Sequence, residues 1–318
     1  MRGLVLAQGL SLQTDRPKPA PRAQEAIIQV LQAGICSTDL HLVKGYMDFQ
    51  GVLGHEFVGV VEHAPDNSSL VGKRVVGEIN AACRVCPTCQ NGRPTHCPNR
   101  TTLGIMGRDG AFADYLSLPV ENLYLVPDGM TNEQAVFIEP LAAACEIPQL
   151  VATKPTNRVI IIGDGKLGLL CAQVMSLTGC EVTLLGRHSE RHGWLIQKGI
   201  AVTSEIQDIH SGADIVVEAT GSPQGLTMAT QLVRPRGTIV LKSTYHGEVL
   251  VNMTEFVINE ISVIGSRCGP FAPALRLLAG GMIEIEPLIH GRFSLTEGIK
   301  AMEQAAQQGT LKVLIDMS

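Results

Sequence analysis

The sequence predicts an α/β chain built as a strand- and turn-rich lobe followed by a doubly wound parallel sheet, and three observations carry that prediction. Gly163, Gly165 and Gly168 follow an apolar strand, "RVIII", and open a helical stretch. Beyond them, short apolar runs alternate with helical or polar segments, the pattern of strands joined by crossover helices. Before them, short strands such as "AIIQVLQAGI", "FVGVVEH" and "KRVVGEI" are punctuated by glycine and proline turns. With 318 residues, 45% of them hydrophobic, the chain can fill more than one core. The expected division is residues 1–147, 148–275 and a returning segment, 276–318.

The opening stretch, "MRGLVLAQGLSLQTD", has one arginine and a short apolar run that alternates and then turns polar, so it reads as a first strand and not as a signal peptide. Nowhere do about 18 apolar residues run together to span a bilayer. A net charge of −5 and a pI near 6.0 offer no broad basic surface for nucleic acid or an acidic membrane. The expectation is a cytoplasmic protein that acts on a small molecule, with neither a nucleic-acid nor a membrane partner. Nine cysteines without a secretion signal point to thiols and metal ligands over disulfides.

Two clusters bear chemistry in the first lobe. "GICSTDLH" supplies Cys36, Thr38, Asp39 and His41, "GHE" adds His55 and Glu56, and "FIEPLA" adds Glu139 as a further carboxylate. A thiolate, an imidazole and a carboxylate make a mixed donor set for a metal; the alternative is that Cys36 and His55 are packing residues, a buried thiol and a histidine on a glycine turn. "CRVCPTCQNGRPTHC" carries Cys83, Cys86, Cys89 and Cys97, spaced C-x2-C-x2-C-x7-C with Pro87, Gly92 and Pro94 holding turns between them. Four thiolates on one tight loop suit tetrahedral zinc, and a site closed by four protein ligands stabilises a lobe without performing catalysis. Two disulfides, or an iron–sulfur cluster on the same thiolates, are the alternatives. A nucleic-acid finger would need a basic docking helix, which the segment lacks.

In the second lobe, the first two glycines of the motif permit the turn and the approach of a pyrophosphate, Lys166 and Leu167 open the helix, and Gly168 lets it pack closely. "IAVT", "ADIVVEATG", "GTIVLKS" and "ISVIGS" supply further strands, six in all, as a Rossmann sheet requires. The second strand ends in "TLLGRHSERH", where an NAD enzyme usually places an acid. Gly186 stands there, followed by Arg187 and His188, with Arg191 one turn on. A small residue with cations beside it favours NADP over NAD, because it removes repulsion and offers donors to a 2′-phosphate. The alternative is that Arg187 is a solvated cap and either coenzyme is taken.

"GICSTDLH", "GHEFVGVVE", the four-cysteine segment, "GAFADY", "IEPLA", "GDGKLG" and "EATGSP" occur in the order found in zinc-dependent medium-chain dehydrogenases, and over nearly its whole length the chain resembles the alcohol, polyol and threonine dehydrogenases among them. The resemblance implies a GroES-like β-barrel catalytic domain joined to a doubly wound Rossmann coenzyme domain, with two zinc ions per chain, one catalytic and one structural. It places the catalytic zinc on Cys36 and His55, with either Glu56 or Glu139 as third ligand; Glu139 is favoured, with Glu56 close enough to exchange. Asp39 would orient His55. Zinc lowers the pKa of an alcohol, and Thr38 and His41 stand at the family's relay positions for passing its proton outward.

The implied activity is hydride transfer between NAD(P)(H) and a secondary alcohol, polyol or related carbonyl, in a homodimer or homotetramer. Alternatives are a biosynthetic dehydrogenase for one specialised alcohol, or a non-catalytic coenzyme-binding sensor. Tyr46, Met47 and Phe49 are candidates to line the substrate pocket. Lys312 and Arg267 are candidates to reach the coenzyme, while Cys145, Cys171, Cys180 and Cys268 read as core.

Overall fold

The computed structural model describes residues 1–20, 22–244 and 248–317. The chain divides into two compact units, one formed by Met1–Glu139 with Phe271–Ser318 and the other by Pro140–Pro270.

The first unit is organised by the strand Glu25–Gly34, whose apolar residues Ala26, Ile28 and Ala33 are fully buried. One edge pairs antiparallel with Glu56–His63. The other is shared by Tyr115–Pro119, paired to its first half, and Lys312–Asp316, paired to its end. The sheet continues through Arg74–Gly77 to Leu123–Leu125 on one side and ends with Ile289–Ser294 on the other. The last strand of the chain is thus inserted next to one of the first, and the apolar "VLI" of Lys312–Asp316 is buried there. The helix Gly298–Ala305 precedes it, burying Ala301, Met302 and Ala305 on one face. The four-cysteine segment projects from a small sheet of Asn80–Ala81, Thr101–Leu103 and Gly107–Arg108.

The second unit is a six-stranded, all-parallel sheet in the order Ile200–Thr203, Glu181–Leu185, Arg158–Ile162, Ala213–Glu218, Val233–Leu241, Ser262–Gly265. Numbered along the chain this is 3-2-1-4-5-6, the Rossmann order. Covered on both faces, its central strand reads as an unbroken apolar run, with Val159 to Ile162 all buried. Gly163 ends that strand at φ +109°, and a Cβ on it would stand 2.6 Å from the carbonyl oxygen of Ala219. The helix Lys166–Ser176 follows at once, packed so closely that a Cβ on Gly168 would fall 1.8 Å from the Gly163 oxygen.

Asp164, inside this turn, fastens it to the end of the next strand. Its Oδ2 accepts the backbone N–H of His188 at 2.6 Å and lies 3.4 Å from Nε2 of the buried His192. Burial alone would raise the pKa of Asp164, but the nearby His192 ring, the hydrogen bond from the His188 N–H and its own backbone N–H outweigh it and hold the pKa at about 2. A carboxylate whose folded pKa is depressed adds stability above its unfolded pKa, near 4, and that stability is lost as pH falls toward about 2. Asp164→Asn should therefore cost of order 2 kcal/mol at pH 7. Urea midpoints of variant and wild type should converge as pH is lowered from about 4 toward 2.

Candidate active site

The mixed donors meet at one end of the first unit's sheet. Cys36 caps the helix Ser37–Val43, and Asp39, at the third helical position, reciprocates by accepting the Cys36 N–H on Oδ2 at 2.8 Å. The other oxygen of Asp39 accepts the N–H of Gly54 at 3.2 Å and lies 3.4 Å from Nδ1 of His55. One fully buried carboxylate thereby ties the Cys36 loop to the Gly54–His55 loop. Ligand atoms of Cys36, His55 and Glu56 all fall within 4.8 Å of one another. Burial disfavours charge on His55, yet Asp39 and Cys36 pull its pKa well above the usual imidazole value. His55 Nδ1 is nonetheless buried without a full hydrogen bond. A set of sulfur, nitrogen and oxygen donors, with His55 and Glu56 buried and Cys36 half-buried, fits a divalent ion such as zinc.

Glu139, favoured from sequence as third ligand, is outside that triplet, while Glu56 is inside it. Burial pushes the Glu139 carboxyl up to about 7, opposed by His55 and reinforced by Glu56. Thr38 and His41 lie on the same short helix, three residues apart and hence on one face. The Thr38 hydroxyl is 3.7 Å from the Cys36 sulfur, and the His41 ring meets Tyr46 edge-on, with centroids 6.4 Å apart. Of the expected pocket residues, Phe49 is buried and anchors its loop, whereas Met47 is 50% exposed.

The four cysteines converge as the spacing predicts, with sulfur–sulfur separations of 3.5 Å for Cys86–Cys89, 3.7 Å for Cys86–Cys97 and 3.4 Å for Cys97–Cys83. A disulfide needs about 2.05 Å, and all nine cysteines are free. Thiolates on the different irons of an iron–sulfur cluster could not approach so closely. Tetrahedral Zn–S bonds of about 2.3 Å give an edge of about 3.8 Å, close to what is found.

In the second unit, the exposed Gly165 precedes the helix Lys166–Ser176, whose first-turn N–H groups have no intrahelical acceptor. Gly186 is buried, and Arg187, following it, is exposed. A Cβ on Gly186 would stand 2.2 Å from the Cβ of Asp164, so the acid that an NAD enzyme carries here has no room.

Lys312 corrects an expectation. It is completely buried in the first unit, where its ammonium pairs with Oε2 of Glu56 and lies 3.4 Å from the carbonyl of Ile35. It is therefore engaged beside the metal donors and does not reach out to a coenzyme. Sequence reasoning missed this pair, as it missed Asp164 and His192. The available signal was a lone lysine opening an otherwise apolar strand, "KVLI", since a charge in such a place needs a partner.

Residues 22–128 match the alcohol dehydrogenase GroES-like domain, and residues 167–280 match the zinc-binding dehydrogenase domain. The chain is 30% identical to an L-threonine 3-dehydrogenase from Pyrococcus horikoshii, over 92% of this chain and 90% of that protein. It is 28% identical to a sorbitol dehydrogenase from Halalkalibacterium halodurans, over 99% of each. Among solved structures, a protein assigned as a zinc-binding dehydrogenase from Sinorhizobium meliloti 1021, bound to NADP, superposes with a TM-score of 0.90 at 29% identity, covering 99% of this chain and 98% of the other. An alcohol dehydrogenase from Escherichia coli CFT073, complexed with NADH, gives 0.90 at 26% identity, covering 100% and 99%. The GroES-like and Rossmann domains expected from sequence are thus both present, and no helix among the described residues is long and apolar enough to cross a membrane. The chain belongs to the zinc-dependent medium-chain dehydrogenases, oxidoreductases that act on alcohols and polyols.

Proposed function

We propose that this chain moves hydride between NADP(H) and a small secondary alcohol, polyol or related carbonyl at a metal held by Cys36, His55 and a buried glutamate. The observation that carries this reading is the convergence of those donors, tied together by Asp39, with Thr38 and His41 on the adjoining helix face. Zinc at this site supplies Lewis acidity that makes a substrate hydroxyl easier to deprotonate. Asp39 fixes the orientation of the His55 ring. Thr38, half-buried, takes the departing proton, and His41 receives it one helical turn away. Glu56 is the third donor supported by the geometry, with Glu139 as its alternate.

A second zinc on Cys83, Cys86, Cys89 and Cys97 holds its lobe together, so metal analysis should read two zinc ions per chain. Cys36→Ser should abolish turnover and keep the fold, whereas Cys97→Ser should cause aggregation, because structural zinc binding is itself folding free energy. A single zinc, or normal turnover in Cys36→Ser, would contradict this assignment. For the relay, Thr38→Val should slow alcohol oxidation more than His41→Gln does. Added buffer base that does not bind zinc should restore part of the rate only in the His41 variant, and a rate that ignores the buffer removes His41 from the path.

NADP is supported by the small Gly186 and by Arg187 and His188 following it. One charge-assisted hydrogen bond from Arg187 to a 2′-phosphate is worth roughly 1.5 to 3 kcal/mol, about tenfold to a hundredfold in affinity. Because Gly186 has no room for a side chain, the informative variant is Arg187→Ala. Fluorescence titration should show NADPH binding weakened at least about tenfold and NADH binding almost unchanged. Equal losses for both coenzymes would refute the 2′-phosphate contact.

A homodimer or homotetramer is supported by the edge strand Ser262–Gly265, unpaired on its outer side among the described residues, and by the exposed apolar side chains of Leu250, Met253, Val257, Ile258 and Val263 in the same unit. Light scattering should read an assembly of at least two chains, reduced to one by Val263→Lys; a monomeric wild type would defeat the proposal.

A further inference from the structure

Lys242 directly follows the strand Val233–Leu241 and is buried, although Ile239 and Val240 give that strand an apolar interior which a hydrocarbon side chain would continue. Burying an ammonium is costly unless acceptors meet it, and for stability alone an apolar residue would often serve as well. The Lys242 Nζ donates to the carbonyl oxygen of Ala143 at 2.7 Å, to that of Arg267 at 2.9 Å and to Ser266 Oγ at 3.1 Å. One side chain thereby joins the end of the fifth strand of the parallel sheet to residues 266 and 267, which follow the sixth, and to the helix Ile138–Cys145. A Cβ on Gly269 would fall 2.0 Å from the Ala142 oxygen, so the segment after the sixth strand lies flush against that helix.

Ser243, the next residue, ties the fifth strand to its other neighbour. Its Oγ accepts the N–H of Gly221 at 2.7 Å, in the turn that follows the fourth strand, Ala213–Glu218. Backbone hydrogen bonds continue past the strands in the same sense, from the Lys242 N–H to Glu218 and from the Ser266 N–H to Leu241. The segments leaving the fourth, fifth and sixth strands are thus held to one another by two adjacent residues. A Rossmann sheet binds its ligand outside the carboxyl ends of its strands, with one mononucleotide on each half. The glycine turn after the first strand suits the pyrophosphate, and the end of the second faces the adenosine ribose. The nicotinamide riboside therefore has the ends of the fourth, fifth and sixth strands to lie on.

We infer that Lys242 is a positioning residue for the nicotinamide half of the coenzyme: it fixes the backbone at residues 266 and 267, while Ser243 fixes the turn at Gly221, and together they shape the seat on which the pyridine ring is held for hydride transfer. The inference rests on the coenzyme reading proposed above. None of the three acceptors of Lys242 belongs to the glycine turn or to the strand end that carries Arg187. Loss of the ammonium should therefore loosen the nicotinamide end and leave adenosine recognition intact.

The test compares whole coenzymes with fragments that lack nicotinamide, by calorimetric titration of the zinc-loaded protein. Lys242→Met should weaken NADPH binding at least about tenfold and leave 2′,5′-ADP binding within about twofold of wild type. NADH against ADP-ribose should show the same asymmetry, so the comparison holds whichever coenzyme is preferred. Ser266→Ala, which removes one acceptor and keeps the ammonium in place, should weaken coenzyme binding about threefold with the fragments unaffected, and it serves if Lys242→Met folds poorly. Unchanged NADPH and NADH affinity in Lys242→Met, or equal losses for coenzyme and fragment, overturns the inference while leaving the coenzyme assignment standing. A wild type that binds neither NADPH nor NADH overturns the coenzyme reading and this inference with it.

Discussion

Asp39 accepts hydrogen bonds from the backbone of both loops that bear the candidate metal donors and sets its charge against His55, all from a position with no solvent exposure. The two loops are separated in sequence, and few apolar contacts could fix their donor atoms to a few tenths of an ångström. A carboxylate with two oxygens can, because each oxygen is committed to a different N–H and neither has water as an alternative partner. The same commitment makes Asp39 costly to alter, since its removal would leave the Cys36 and Gly54 amides without acceptors. The strands Glu25–Gly34 and Glu56–His63 bring the loops to one end of the sheet, and Asp39 holds them there.

Charge in this interior is unevenly matched. Asp39, Glu56 and Glu139 can each be anionic, with the Cys36 thiol beside them, against one buried ammonium and one imidazole. Buried anions are tolerated when paired, and the ordinary outcome for an unpaired one is protonation. Glu139 is moved toward that outcome, with its carboxyl pushed up to about 7 by burial and by the charge of Glu56, against the opposing pull of His55 and Lys312. His55 shows the complement, drawn toward its cationic form by Asp39 and Cys36 despite burial. A dication coordinated by the thiolate and imidazole would supply the missing positive charge, so the donor chemistry and the electrostatics favour the same occupant.

The parts legible in sequence are those whose physics is local. The glycine turn, the helix it opens and the alternation of strands and helices follow from backbone geometry within about 30 residues, and all appear where expected. The four cysteines converge because short turns leave them little else to do. The interactions that escaped sequence reading join distant segments. Lys312 meets Glu56 across a strand inserted from the other end of the chain, and nothing near "KVLI" identifies the partner. Asp164 reads as a variable position of a glycine motif until His188 and His192 are folded against it. That Glu56 and not Glu139 has an oxygen within 4.8 Å of the Cys36 and His55 donor atoms is a matter of ångströms that motif order does not specify.

The two units do their work by different means, and this explains why one reads more easily than the other. The glycine turn of the second unit presents backbone N–H groups at the start of the helix Lys166–Ser176 and keeps side chains away from the turn. The first unit instead presents side chains carried by a loop. In the loop after the helix Ser37–Val43, Met47 and Asp48 both occupy the left-handed region, at φ 61° and 48°. Non-glycine residues rarely adopt it, and each costs on the order of 1 kcal/mol or more. Phe49, buried behind them, anchors the loop from below, while Met47 is held out on its surface. A strained backbone fastened at one end persists when the surrounding packing over-determines it, and it fixes the direction of the exposed side chain. The general activity is thus written in the donor motifs and the glycine turn, whereas the shape of the loop around Met47 depends on backbone strain and on packing that no motif spells out.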